Sequence, residues 1–392
     1  MAAPARFRHL DSSHAPGQQR AGARARAGDR PVDFSHGDVG AFPPHPAAAE
    51  AVHDAIAVGA TWAYSPYRGH REVRSRVADR LGELMGLAID PDRHLLVSAG
   101  TQAGLYLAMS SVIERGDRVG IVAPDYFAYR KITEFLEAQP VDVTLHYREH
   151  GRAGEIDLES LTSALDSGVR TIVFSNPNNP TGVVYEPSHL LRINATLAEY
   201  GAFAIVDQLY ARQIFDGRAY THFAGLDGAA DRTLTLIGPS KTESLSGFRL
   251  GVTIGPEPII SRMETVQGLV TLRAPGYSQA VLTTWLAEPP GWLDDRVAAH
   301  QRIRDELMAV IQASDAVMAR PTEGGSYLFI HIPAVAGDLD AFVESLRVED
   351  GVTVTRGTEF GSFPDAVRLN FSQDRTAAVA ALRRLVDRAQ RW

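Results

Sequence analysis

What most narrows the possible folds of this chain is a rhythm of short apolar runs. HLLVSAG (94–100), DRVGIVAP (117–124), PVDVTLHY (140–147), TIVFSN (171–176), FAIVDQ (203–208) and TLTLIG (233–238) are strand-like and rich in Val, Ile and Leu. Between several of them lie stretches with helical spacing, such as GTQAGLYLAMSSVIE (100–114) and YFAYRKITEFLEA (126–138). Strands that are apolar on both faces need cover on both faces, and intervening helices make neighbouring strands parallel. The expected fold class is therefore α/β, with a mostly parallel central sheet flanked by helices. Ligands of such sheets bind beyond the carboxyl ends of the strands, so chemistry is expected in the residues that follow each run.

The chain changes character on either side. Residues 1–30 hold six Arg, two Asp and almost no large apolar side chains, a composition that cannot bury a core and reads as a disordered arm. Residues 31–46, with Pro43, Pro44 and Pro46, read as an extended segment packing against a small domain, and a helical pattern begins at Ala47. Val73, Val77, Leu81, Leu84 and Met85 mark a helix after the loop TWAYSPYRG (61–69). Past residue 256 long helices are expected at 257–288 and 291–314. SYLFIHIP (326–333), a helix at 337–347, GVTVTR (351–356), AVRLNFS (366–372) and a closing helix from Arg375 then suggest a smaller α+β domain. The expected division is a large α/β domain at 47–290 and a small domain at 291–392, meeting near EPPGW (288–292).

Composition excludes several functions. A net charge of −8 disfavours nucleic acid and anionic membrane surfaces as partners. No apolar run reaches the roughly 18 residues of a membrane span and no secretory apolar region opens the chain, so a cytoplasmic protein acting on small molecules is expected. The absence of cysteine removes disulfides, thiolate metal sites and a Cys nucleophile. His36 and His70 lack metal-ligand spacing, so no metal is expected.

One residue choice is conspicuous. Of 39 basic residues only Lys131 and Lys241 are lysines. Arg stays protonated, whereas a Lys can be driven neutral and can form a Schiff base. Lys241 sits in GPSKTESLSGFRLG (238–251), directly after a strand-like run. SNPNNPTG (175–182) and DQLY (207–210) follow two other runs, SAGTQAG lies earlier and VRLNFS later.

Together these patches resemble the fold-type I pyridoxal-phosphate enzymes, specifically the class I and II aminotransferases, in the family's order from about residue 31 onward. NPNNPTG and the S-K-x(5)-G-x-R-x-G spacing are the most specific pieces. The resemblance implies pyridoxal 5′-phosphate as cofactor and Lys241 as its Schiff-base lysine. It gives Asp207 the pyridine nitrogen, and Asn179 and Tyr210 the phenolic oxygen. Gly100, Thr101, Gln102, Ser240 and Arg249 fall to the phosphate, whose binding suits a strand-to-helix junction. Tyr126 would stack on the ring, with Phe127 as its alternate. Tyr64 would reach the phosphate of the other subunit, which implies a homodimer. Arg368, with Gly37 and Asn179, would read the substrate carboxylate, a task suited to a guanidinium fork. Arg68, Arg273 and Arg356 are candidates for a second acidic group but read more readily as solvated or structural.

Three departures stand out: Gly238 where relatives often carry a hydroxyl, Gln208 where an acid is frequent, and Arg356-Gly357 in place of Pro-Gly. The expected activity is amino-group transfer from an L-amino acid to a 2-oxo acid through a pyridoxamine form. A lyase, cyclase or oxidase would use the same constellation. A DNA-binding regulator of this fold would need more than residues 1–30, and no G-x-G-x-x-G supports a nicotinamide enzyme.

Overall fold

The computed structural model describes residues 31–59, 62–148 and 154–392, so the expected arm at 1–30 lies outside the described residues. The strands are β1 (Val32–Asp33), β2 (Leu95–Ser98), β3 (Arg118–Ala123), β4 (Gln139–His146), β5 (Glu155–Ile156), β6 (Thr171–Ser175) and β7 (Phe203–Asp207). They continue as β8 (Thr233–Ile237), β9 (Gly251–Ile254), β10 (Met318–Ala319), β11 (Tyr327–His331), β12 (Val352–Thr353), β13 (Thr355–Arg356) and β14 (Ala366–Asn370).

The large sheet has the order β2-β9-β8-β7-β6-β3-β4-β5. From β8 to β4 every neighbour is parallel, as expected, while β9 is antiparallel to both β8 and β2, and β5 to β4. Consecutive residues of a strand point to opposite faces. Ile172 and Val206 accordingly pack against Leu165, Leu190 and Leu197 on one face, and Val173 and Ile205 against Leu105, Tyr129 and Ile260 on the other. Both faces are thus covered by helices, which explains the unbroken apolar runs.

A second, antiparallel sheet has the order β10-β11-β14-β13. It shares an apolar cluster with the helices Trp292–Gln312, Leu339–Glu349 and Arg375–Arg391 through Ile303, Leu307, Leu328, Phe342 and Leu382. The lead-in joins that cluster with Val32 and Phe34, and β1 pairs with β12.

Two of the differences from expectation have a plain physical cause. The helix expected over 257–288 stops at Val270. Leu272 has φ +63, Pro275 follows it, and only short helical turns over Gly276–Gln279 and Ala280–Thr283 resume. Proline removes the N–H a continuous helix needs and a left-handed residue reverses the chain. Strand β9, GVTI, was hidden because it opens on Gly251, is interrupted by Thr253 and runs straight into Gly255. Among the described residues no helix is long and apolar enough to cross a membrane.

Candidate active site

Strands β2, β3, β6, β7 and β8 run in one direction, β2 through two antiparallel steps across β9. Their carboxyl ends therefore share one edge of the sheet, where Gly100–Thr101, Pro124–Tyr126, Asn176–Asn179, Gln208–Tyr210 and Gly238–Lys241 emerge. Because β9 runs the other way, its amino end meets the same edge and brings Arg249 with it, Ser98 standing opposite Gly251 and Ile237 opposite Val252.

A cavity of about 450 Å³ opens there, lined by Thr101, Gln102, Tyr126, Asn179, Asp207, Tyr210, Ser240, Lys241 and Arg249, all expected site residues. A second cavity of about 540 Å³ adjoins it, sharing Tyr210, Ser240 and Lys241 and extending to Gly37 in the lead-in. Lys241 stands where the two meet. The contrast with the other lysine is plain: Lys131 is paired with Glu359 at 2.9 Å, whereas Lys241 has no carboxylate within ion-pair distance among the described residues.

One end of the first cavity suits an anion. In the helix Thr101–Val112 the Gly104 N–H bonds to the Gly100 carbonyl at 3.1 Å, so the N–H groups before it precede the helical ladder and carry the positive end of the helix dipole. Gly100 has φ +93, and a Cβ on it would stand 2.3 Å from Arg249 Nη2, so the guanidinium lies directly against the glycine. Arg249 itself has φ +54, an uncommon left-handed conformation for a side-chain-bearing residue. The Thr101 hydroxyl is buried without a hydrogen-bond partner among the described residues. A Cβ at Gly238 would come 3.2 Å from that hydroxyl, so the glycine leaves room for Thr101. Ser240 donates to the Leu250 carbonyl at 3.3 Å, and the Gln102 amide oxygen accepts from the Tyr126 hydroxyl at 3.0 Å. Tyr126 also packs against Phe127, with ring centroids 4.5 Å apart.

The opposite end suits a cation. The Asp207 carboxylate accepts from Leu209 N–H and from the Tyr129 hydroxyl, each at 3.1 Å. Burial raises its pKa above the usual carboxylate range, a shift opposed by these two neutral donors and by the more distant Lys241. An orphaned hydroxyl, helix N–H groups and an Arg at one end, with a buried carboxyl held only by neutral donors at the other, fit the phosphate and the protonated ring nitrogen of pyridoxal phosphate.

Arg368 reaches this cavity through its neighbours. It donates to Asn179 Oδ1 at 3.0 Å, to the Ser35 carbonyl at 3.1 Å and to the Thr355 hydroxyl at 3.2 Å, and its guanidinium lies 4.3 Å from the Tyr327 ring centre and 4.9 Å from that of Phe360. It is 5% exposed, its Nε has no partner, and among the described residues no carboxylate pairs with it. A buried cation without a counter-ion is prepared for an anion from outside. Gly37 lines the second cavity, held by the Asp38 N–H bond to the Ser372 carbonyl at 2.7 Å.

Other expected residues stand apart. Tyr64 is 79% exposed and stacks on Arg273, 4.6 Å from its ring centre. Arg68 bonds Glu264 and Ser261, Arg273 is sandwiched between Tyr64 and Tyr67 and bonds the Ser65 carbonyl, and Arg356 pairs with Asp340. All three arginines thus have structural partners. No cluster of metal-ligating side chains occurs among the described residues.

The sequence reading missed four residues: Tyr129, which holds Asp207; Tyr327, which bonds Tyr210; and the buried pair Asp125 and Ser175. Ser175 donates to Asp125 through both its N–H and its hydroxyl, and its oxygen accepts the Asn179 N–H at 3.0 Å. Burial pushes the Asp125 carboxyl well above its ordinary range. Its place immediately beyond a buried strand was the available signal.

A lysine without a counter-ion, a carboxyl raised by burial and an anion-suited helix end thus meet at the carboxyl edge of the parallel strands, an arrangement that pyridoxal phosphate fits. The chain belongs to the aminotransferase class I and II family, which it matches over residues 31–385. It is an aminotransferase that moves an amino group to a 2-oxo acid, with pyridoxal phosphate as cofactor. It is similar to the crystal structure of an aspartate aminotransferase from Rhodobacter sphaeroides 2.4.1, with TM-score 0.93, 46% identity and 99% of each chain covered. An arginine–pyruvate transaminase from Pseudomonas aeruginosa is 27% identical over 342 residues, 87% of this chain and 85% of that protein. A bifunctional aspartate aminotransferase and glutamate/aspartate-prephenate aminotransferase from Petunia hybrida is 30% identical over 350 residues, 86% of this chain and 72% of that protein.

Proposed function

We propose that the amino donor is an L-amino acid and that Lys241 both carries the cofactor and moves the proton at the donor's α-carbon. Bound pyridoxal phosphate supplies the electron sink that makes that proton removable. Lys241 is the general base and acid, Asp207 keeps the ring nitrogen protonated, and Asn179 and Tyr210 face the phenolic oxygen. Gly100, Thr101, Gln102, Ser240 and Arg249 hold the phosphate, and Tyr126 covers the ring. Arg368, with Gly37 and Asn179, fixes the α-carboxylate, so that the α-hydrogen is turned toward Lys241. The observation that carries this reading is the single cavity of about 450 Å³ on which Lys241, Asp207, Asn179, Tyr210 and Arg249 converge from separate loops.

The reading includes a homodimer, a large domain at 47–290, and a small domain at 291–392 with the lead-in packed on it. Support for the dimer comes from a patch made by two clasped segments. Ser65 donates to the Ala274 carbonyl at 3.1 Å, and around that clasp Trp62 (83%), Tyr64 (79%), Leu269 (83%) and Val270 (56%) are exposed. Apolar surface gathered in this way marks an interaction site, and a second copy is the occupant whose Tyr64 would complete the phosphate cradle.

Mixing the yellow loaded enzyme with an amino acid alone tests the transfer chemistry. The expected result is loss of the yellow band with one equivalent of 2-oxo acid released, and its return on adding a 2-oxo acid. Release of ammonia or a rearranged carbon skeleton would contradict the reading.

A further inference from the structure

Tyr327 occupies a junction for which none of the roles above accounts. It lies on β11, is 3% exposed, and lines the same cavity as Lys241. Its hydroxyl accepts the hydrogen bond donated by the Tyr210 hydroxyl at 2.7 Å, the two rings cross edge to face at 5.3 Å, and the Arg368 guanidinium lies 4.3 Å from its ring centre. It therefore joins the tyrosine assigned to the phenolic oxygen to the arginine assigned to the carboxylate.

A phenol has one proton to donate. That of Tyr210 is directed at Tyr327, so it is engaged and turned away from any second acceptor. The charged and titratable groups facing the pair are Asp207 at the end of β7, Lys241 after β8, Tyr126 after β3 and Arg368 on β14. Burial holds the proton on Tyr210. At Tyr327 burial acts the same way but is outweighed by Lys241, Arg368 and the bond from Tyr210, so the net shift is downward, as suits the accepting partner.

We propose that Tyr327 is a positioning residue that competes for the Tyr210 proton, withholding it from the cofactor's phenolic oxygen and so raising the pH at which the loaded enzyme ionises. The inference rests on the reading that Tyr210 faces that oxygen.

The test is Tyr327→Phe, which removes one oxygen and keeps the ring under Arg368. The Tyr210 proton then turns to the phenolic oxygen and stabilises its charged form. The midpoint of the visible absorbance titration should fall by about 0.5 to 1 pH unit, the value of one hydrogen bond. The pH profile of kcat/KM, which reports the free loaded enzyme, should move with it. In a Tyr210→Phe background the same substitution should produce no shift, because the proton it acts on is gone. A yellow Tyr327→Phe protein whose midpoint is unmoved or higher overturns the inference, as does an equal shift in the Tyr210→Phe background. A wild-type protein that takes up no cofactor overturns the underlying reading and this inference with it.

Discussion

In the proposed function Arg368 is the residue on which substrate binding turns, and its geometry is already assembled. Five contacts hold its guanidinium, and among the described residues none of them is a carboxylate. Arg368→Ala should lower kcat/KM for amino donors by roughly 10- to 100-fold, the worth of a hydrogen-bonded charge pair, and Lys should restore little because it lacks the fork. Steady-state kinetics on folded variants measures this; an unchanged kcat/KM would remove Arg368 from the site. Thr101→Val should weaken pyridoxal-phosphate retention by about tenfold, since Gly238 leaves no substitute hydroxyl beside it, and equilibrium dialysis would read the loss. At this scale the sequence was most legible where chemistry repeats locally, as in Lys241 and Arg249, eight positions apart and delivered by adjacent antiparallel strands. Tyr327 was not legible. Within SYLFIHIP it has the profile of an interior strand aromatic, and only the pairing of β11 with β14 brings it beside Arg368.

The elements carry a different kind of information. The parallel strands were readable from their apolar runs because both faces are buried, but β9 was not, because its four residues GVTI open on Gly251, are interrupted by Thr253 and run straight into Gly255. It is nonetheless the strand that turns Arg249 toward the site. The connections also hold two histidines in place. His222 pairs with Gln208 at 2.6 Å beyond β7, and His300, in the helix Trp292–Gln312, stacks on Phe42 of the lead-in with ring centroids 3.8 Å apart. Burial lowers each to about 4. A histidine depressed by folding binds its proton more readily in the unfolded chain, so its contribution is intact above the ordinary value near 6.5 and is lost as pH falls toward 4. Each could remove up to about 3 kcal/mol across that window. Urea denaturation between pH 7 and 4.5 should show stability falling with pH, and a His222→Gln, His300→Gln double variant should show a flatter slope. An identical slope would contradict the assignment.

For the whole molecule, the cavity lies at the carboxyl edge of the large sheet, while Arg368, proposed to bind the substrate, comes from the small one, and Tyr64 faces outward. If the site is shared between two copies, a subunit lacking Lys241 can still lend Tyr64 to its partner. Co-expressed Lys241→Ala and Tyr64→Ala chains should recover up to about a quarter of wild-type activity through the mixed dimer, whereas the Lys241→Ala parent should be inactive and the Tyr64→Ala parent impaired. No recovery above the parents would argue against a shared site. The overall class was legible because strand rhythm and loop motifs agree with one another; the exposed apolar patch was not, because Trp62, Leu269 and Val270 look like ordinary apolar residues until their exposure is known. The central claim is that Lys241 carries the cofactor, and the scarcity of lysine makes it directly measurable. Borohydride reduction of the loaded protein followed by peptide mass mapping should put one pyridoxyl group on the peptide containing Lys241 and none on that containing Lys131. Label on Lys131, or none on either, would contradict the account.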